Sequence, residues 1–147
     1  MSDPGDPGDH PAILISNRQS LPVDEVGLAA LARSTLVAEG LEMVEVSVSF
    51  VDEDEMTDLH RRYMDEDGPT DVLSFPMDEA DEGVRVLGDV VIAPAVAAGN
   101  NPGDLGGELR LLVAHGVLHL LGYDHEEDAE RAEMWDRQER YSGVRAS

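Results

Sequence analysis

The residues best placed to do chemistry are His115, His119 and His125, which fall in the run HGVLHLLGYDH. His115 and His119 are four apart, so on a helix they share one face, one turn from each other. The residues around them predict such a helix. From Leu109 to Leu121 nearly every other position is leucine, valine or alanine, as in a rod that runs through a core. Gly122 stands where a helix stops in a left-handed cap, and the turn Tyr123-Asp124 can bring His125 back toward the two helical rings. Imidazoles buried without partners are costly. Three that converge can hold a zinc ion and leave its fourth position to water. The chain has no cysteine, so any metal must rely on histidine and carboxylate. Neutral imidazoles suit zinc, although nickel, copper or iron can take the same nitrogens. Asp124 either orients a ligand from behind or shapes the turn, and its position alone leaves both open.

The spacing matches the HExxHxxGxxH motif of metzincin peptidases at the three histidines and the glycine. It differs at the second letter, where Gly116 replaces the glutamate that serves a peptidase as general base. The cradle for a metal is present and the base for peptide hydrolysis is missing.

HGVLHLLGYDH resembles the signature of the YbeY-type endoribonucleases. Two further segments look like the same family, Pro69-Thr70-Asp71-Val72-Leu73-Ser74-Phe75-Pro76 and Leu87-Gly88-Asp89-Val90-Val91-Ile92. The resemblance extends roughly over residues 12 to 141. It implies a zinc-dependent endoribonuclease specific for single strands, acting in 3′-end maturation of small-subunit rRNA and in ribosome quality control. Implied partners are single-stranded rRNA, the small ribosomal subunit and an assembly GTPase, with no DNA and no membrane. Hydrolysis of a phosphodiester needs an activated water, and zinc lowers the pKa of its water to about 7. It also needs a cation for the charge that develops on the phosphoryl group. The family pattern places an arginine directly after the aromatic in the helix before the Pro-Thr-Asp motif, but this chain reads Tyr63-Met64. Arg62 is the expected substitute, with an ordinary surface arginine as the plain alternative. A zinc peptidase and a non-catalytic, metal-stabilised ribosome-assembly factor are the rival functions.

The elements that must position these groups can also be read. Residues 1 to 11 repeat Asp-Pro-Gly and are expected to form a disordered tail, with residues 12 to 147 as one domain. Ala12 to Ile15 reads as a buried strand, and Asp24 to Glu39 as an amphipathic helix ended by Gly40. Val44, Val46, Val48 and Phe50 alternate with polar residues, as in a strand with one wet face. Asp52 with Glu55 has the form of a capping box for a helix reaching about Tyr63. Asp71 to Phe75 is a strand, and Asp78 to Glu82 reads as a solvated acidic loop. Val86 to Ala93 is the next strand, and Pro94 opens a short helix. A loop over Gly99 to Gly107 precedes the histidine helix, and a last helix runs from Glu126 to Tyr141, with Met134 and Trp135 assigned to packing. The order implies an α/β (α+β) fold, a small mixed sheet of about four strands under about five helices, with a metal-binding helix resembling that of metzincins. His10 is read as incidental, and His60 as a surface residue rather than a fourth ligand, since three are already supplied. Ser74 lacks the glycine elbow of a nucleophilic serine.

Composition sets the remaining bounds. Of 147 residues, 32 are acidic and 10 basic, every basic one an arginine, for a net charge of −22. Such a surface repels nucleic acid at low salt, because sequence-independent affinity comes from basic groups that replace counterions. At about 1 M salt the Debye length falls to roughly 3 Å, and a metal with one arginine can then bind a phosphate locally. The acidity is therefore read as a solubility device suited to a salty cytoplasm. Aromatics make up 4% of the chain, so stacking on an aromatic platform is not the expected mode of RNA recognition. The first residues lack the basic and apolar stretches of a secretory leader, and a cytoplasmic location is expected.

Overall fold

Four strands form one mixed sheet in the order β1-β2-β4-β3. The computed structural model describes residues 10–68, 70–123 and 128–144. Strands β1 (Ala12–Arg18), β2 (Val44–Val51) and β4 (Val84–Ile92) are parallel, and β3 (Val72–Asp81) runs antiparallel along β4 at one edge. The helices are α1 (Glu25–Ala38), α2 (Glu53–Met64), α3 (Pro94–Asn100), α4 (Leu105–Leu120) and α5 (Asp128–Ser142). The expected α/β architecture is the one observed.

The alternation in β2 does what its pattern implies. Val44, Val46, Val48 and Phe50 are buried, and together with Val90 and Ile92 of β4 they form the floor on which α1 and α4 lie. The opposite sheet face carries a smaller cluster of Val51, Leu73 and Val91, covered by Met56 of α2. Helix α4 is enclosed on most sides. Leu109, Leu112, Val113, Val117 and Leu118 are all buried, each such side chain contributing about 1.5–3 kcal/mol by leaving water.

Several local expectations need correction. Helix α4 begins three residues before the expected Glu108, because the Asp104 carboxylate caps it by accepting from the Gly107 amide at 3.0 Å. Two glycines in the first turn hide that start from a reading based on propensity. The acidic stretch Asp78 to Glu82 is not a loop. Strand β3 continues to Asp81 and turns back at Glu82-Gly83, both with positive φ (51° and 85°), into β4. Two such residues suit the turn of a tight hairpin, and Asp78 and Glu79 face solvent on an edge strand, where charge discourages further pairing. The capping box at α2 is only half made. Asp52 accepts from the Glu55 amide at 2.7 Å, but the Glu55 carboxylate instead takes Arg18 of β1 at 2.6 Å. Strand β1 also runs to Arg18, beyond the expected Ile15. Pro11, placed in the tail by the sequence reading, is buried, and its carbonyl accepts from Arg33 of α1 at 3.0 Å. Residues 1–9 lie outside the described residues. Among the described residues no helix is long and apolar enough to cross a membrane.

Candidate metal centre

The C-terminal end of α4 is built as the sequence requires. Gly122 takes φ +98°, and its amide bonds the His119 carbonyl at 3.0 Å, while the Tyr123 amide reaches back to Leu118 at 3.1 Å. This is a Schellman closure, which satisfies the last carbonyls and turns the chain sharply out of the helix. One turn inside it, the rings of His115 and His119 lie with centroids 4.6 Å apart and planes at 73°. The i, i+4 spacing has therefore brought two imidazoles to one spot. His125 and Asp124 lie outside the described residues. Among the described residues no group of three histidines, cysteines or carboxylates forms a metal site.

What lies behind His115 could not be read from the motif. Its Nδ1 is 2.7 Å from Oε1 of Gln138 on α5. An amide oxygen only accepts, so Nδ1 carries the proton and Nε2 is the ring nitrogen with a lone pair to offer. Histidine ligands of metals are commonly held in this way by an acceptor behind them, and the donor set present fits zinc. Gln138 is 3% exposed, a burial rare for glutamine without a specific partner. It lies on the inward stripe of α5 with the buried Met134, and a polar residue on that stripe was the available signal. Trp135, assigned to packing, stands edge-on to His115 with centroids 6.1 Å apart. Gln138→Leu is expected to weaken zinc binding by about 10- to 100-fold while the chain stays folded, as measured by competition with a chromophoric chelator.

The three motifs that resemble one family form one packed unit. A Cβ on Gly116 would lie 2.4 Å from Cγ1 of Val90 on β4, so the helix touches the sheet where only glycine fits. A Cβ on Gly88 would meet the Phe75 carbonyl oxygen at 2.3 Å and Leu120 at 2.9 Å, at φ +142°. Ser74 of β3 donates to the Gly116 carbonyl at 3.3 Å. The β3–β4 pair is thus the anvil against which the histidine turn of α4 is pressed. The glycine that replaces a peptidase base is required by this contact, since a glutamate there begins with the same Cβ.

Around the far end of this turn sits a charged network. The Glu39 carboxylate at the end of α1 accepts from Tyr123 Oη at 2.6 Å, from Tyr141 Oη and from Arg137 Nη1 at 3.3 Å. Burial alone pushes the Glu39 carboxyl up, but the two phenols, with Arg137 and Arg140, more than offset this and hold it below its ordinary value. In return the hydrogen bond to Glu39, with burial, pushes Tyr123 up to about 12. Burial and the same carboxylate raise Tyr141. At the other end of α4, Glu108 is raised, first by burial and then by the neighbouring charges of Asp71 and Asp104.

The remaining candidates fall elsewhere. Arg62 is exposed on α2, bonded to Asp58 at 3.2 Å and lying 5.9 Å from the Tyr63 ring centre. Helix α2 packs on the sheet face opposite α4. His60, expected at the surface, is mostly buried, with its side chain 13% exposed. Its Nδ1 bonds the Gly68 carbonyl at 2.9 Å and its Nε2 meets Glu66 at 3.0 Å, so it closes the loop after α2.

A family model described as Endoribonuclease YbeY matches residues 14–143. The chain belongs to that family. Curated relatives called Endoribonuclease YbeY include one from Thermobifida fusca, 48% identical and covering 86% of this chain and 89% of its own. Another, from Acidothermus cellulolyticus, is 51% identical over 80% of this chain and 81% of its own. The solution structure of TM1509 from Thermotoga maritima is similar over 88% of this chain and 86% of its own, with a TM-score of 0.59 and 33% identity. Membership in the YbeY family matches the likeness carried by the three motifs, and it makes the packed unit of β3, β4 and α4 the part of the fold to interpret.

Proposed function

We propose that the chain is a zinc-dependent endoribonuclease that cleaves single-stranded RNA by hydrolysis. Its role is in 3′-end maturation of small-subunit rRNA and in ribosome quality control, in the cytoplasm and in contact with the small subunit and an assembly GTPase. Membership in the YbeY family supports RNA as the substrate class. The observation that carries the metal reading is the 2.7 Å bond from His115 Nδ1 to a buried glutamine, beside a second imidazole 4.6 Å away. His115, His119 and His125 are the proposed ligands of one ion. Bound zinc would supply an activated water and a positive charge for the phosphoryl group.

The chain's own residues do the rest. Gln138 keeps the His115 proton on Nδ1 through the cycle, and Trp135 covers one side of that ring. Arg62 is the proposed cation for the phosphate; it lies on the sheet face opposite α4 and would meet the RNA across the β3 edge, where Tyr63 packs on Phe75. Its exposed pair with Asp58 is worth only about 0–1 kcal/mol, so the guanidinium is cheaply released to a substrate. The peptidase alternative is opposed by the Gly116–Val90 contact, which leaves no room for a base at that position. The assembly-factor alternative draws on the net charge of −22 and on Met64.

The test is incubation of the purified chain with an unstructured RNA oligonucleotide. Cleavage is expected to stop with chelator and return with zinc, and Arg62→Ala is expected to lower kcat by about 10- to 100-fold with zinc affinity unchanged. Cleavage that ignores chelator, or no cleavage by zinc-loaded protein, would reject the nuclease reading. Unchanged turnover would remove Arg62 from it.

A further inference from the structure

The Glu39 carboxylate is 10% exposed and gathers three groups that lie 84, 98 and 102 residues away in the chain. Each is tied to the histidine cluster by a short piece of backbone. Tyr123 is the first residue past the Schellman turn and stands two positions before His125. Arg137 is the neighbour of Gln138, and Tyr141 lies one turn further along α5. Arg137 also sits 5.1 Å from the Tyr123 ring centre and bonds Glu133 at 3.1 Å. Its Nε is buried and has no hydrogen-bond partner among the described residues, which costs desolvation free energy. Together they tie Tyr123, just after α4, and two residues of α5 on either side of Gln138 to the end of α1.

We propose that Glu39 is a positioning residue for the metal centre, a clamp that locks the exit of α4 and helix α5 to the end of α1. This rests on the metal reading above. Its consequence is that affinity for the ion depends on a residue of the first helix, which no motif includes. Removing the charge while keeping the shape, in Glu39→Gln, leaves Arg137 with Glu133 as its remaining counter-ion and one acceptor oxygen where two held the phenols. Outer partners of metal ligands usually set affinity within 10- to 100-fold, and a group acting through them is expected near the lower end, about tenfold.

The test uses two readouts on the full chain. Zinc affinity, by chelator competition, is expected to fall about tenfold in Glu39→Gln and by less in Tyr141→Phe, which removes one arm and secures the test if the first variant folds poorly. Leu28→Ala, a cavity on the far end of α1, is expected to lower stability and leave affinity unchanged. In metal-free protein, the Nδ1–H proton of His115 is expected as a slowly exchanging NMR signal in the wild type and lost or broadened in Glu39→Gln. Wild-type affinity and an intact signal in both clamp variants would overturn the proposal. If the wild type binds no zinc while the signal still depends on Glu39, the metal reading fails and the clamp on α5 stands.

Discussion

His115→Ala is expected to abolish RNA cleavage and to weaken zinc binding by at least about a hundredfold. Four-ligand zinc sites bind with about 10–16 kcal/mol, or roughly 3 kcal/mol per ligand, and 1.4 kcal/mol is a factor of ten. The same loss is expected for His119→Ala, since the two rings stand 4.6 Å apart on one helix face. The folding cost should differ between them. Removing His115 strands the Oε1 of Gln138, which is 3% exposed, at about 1–3 kcal/mol. Titration with zinc and a urea unfolding curve on each variant separate the effects. Loss of cleavage with zinc affinity intact would place His115 outside the ligand set.

Gly116→Ala is expected to destabilise the fold by roughly 1–3 kcal/mol, the usual cost of forcing extra carbon into a full core. The new Cβ would lie 2.4 Å from Cγ1 and 3.0 Å from Cγ2 of Val90, which is fully buried. A β-branched side chain has few rotamers to escape into, so α4 must lift from β4. That motion displaces the helical histidines on either side of position 116, and zinc affinity should fall with stability. Combining it with Val90→Ala is expected to relieve most of the clash, and the double-mutant cycle should show a favourable coupling of about 1 kcal/mol or more. Additive effects in that cycle would mean that the helix and strand are not in the contact described.

Much of this site was legible in the residues because it is local. The spacing of His115 and His119, the leucine-rich surroundings and Gly122 are all readable within one helix, and its end closes as a left-handed cap. The alternation of β2 likewise needs no partner to be seen. Most of what the residues hide depends on distant contacts. Gln138 gives no sign of meeting His115 until α5 lies against α4, and Glu39 acquires its partners only from residues more than eighty positions away. The β3–β4 arm was hidden by its composition, since a run of acids is a poor strand former, while its antiparallel neighbour and the Glu82-Gly83 turn supply what propensity does not. The start of α4 was masked by Gly106 and Gly107, for which the Asp104 cap compensates. Tertiary contacts prevail over local preference in the first three cases, and a local cap does so in the last.

The measurement that bears most directly on the centre is X-ray absorption at the zinc edge of the full chain loaded with one equivalent of zinc, beside the His125→Ala variant. Three imidazole nitrogens and one oxygen, at about 2.0–2.1 Å, are expected in the wild type, with one imidazole fewer in the variant. A coordination shell unchanged by that substitution, or no stoichiometric binding at all, would contradict a three-histidine site.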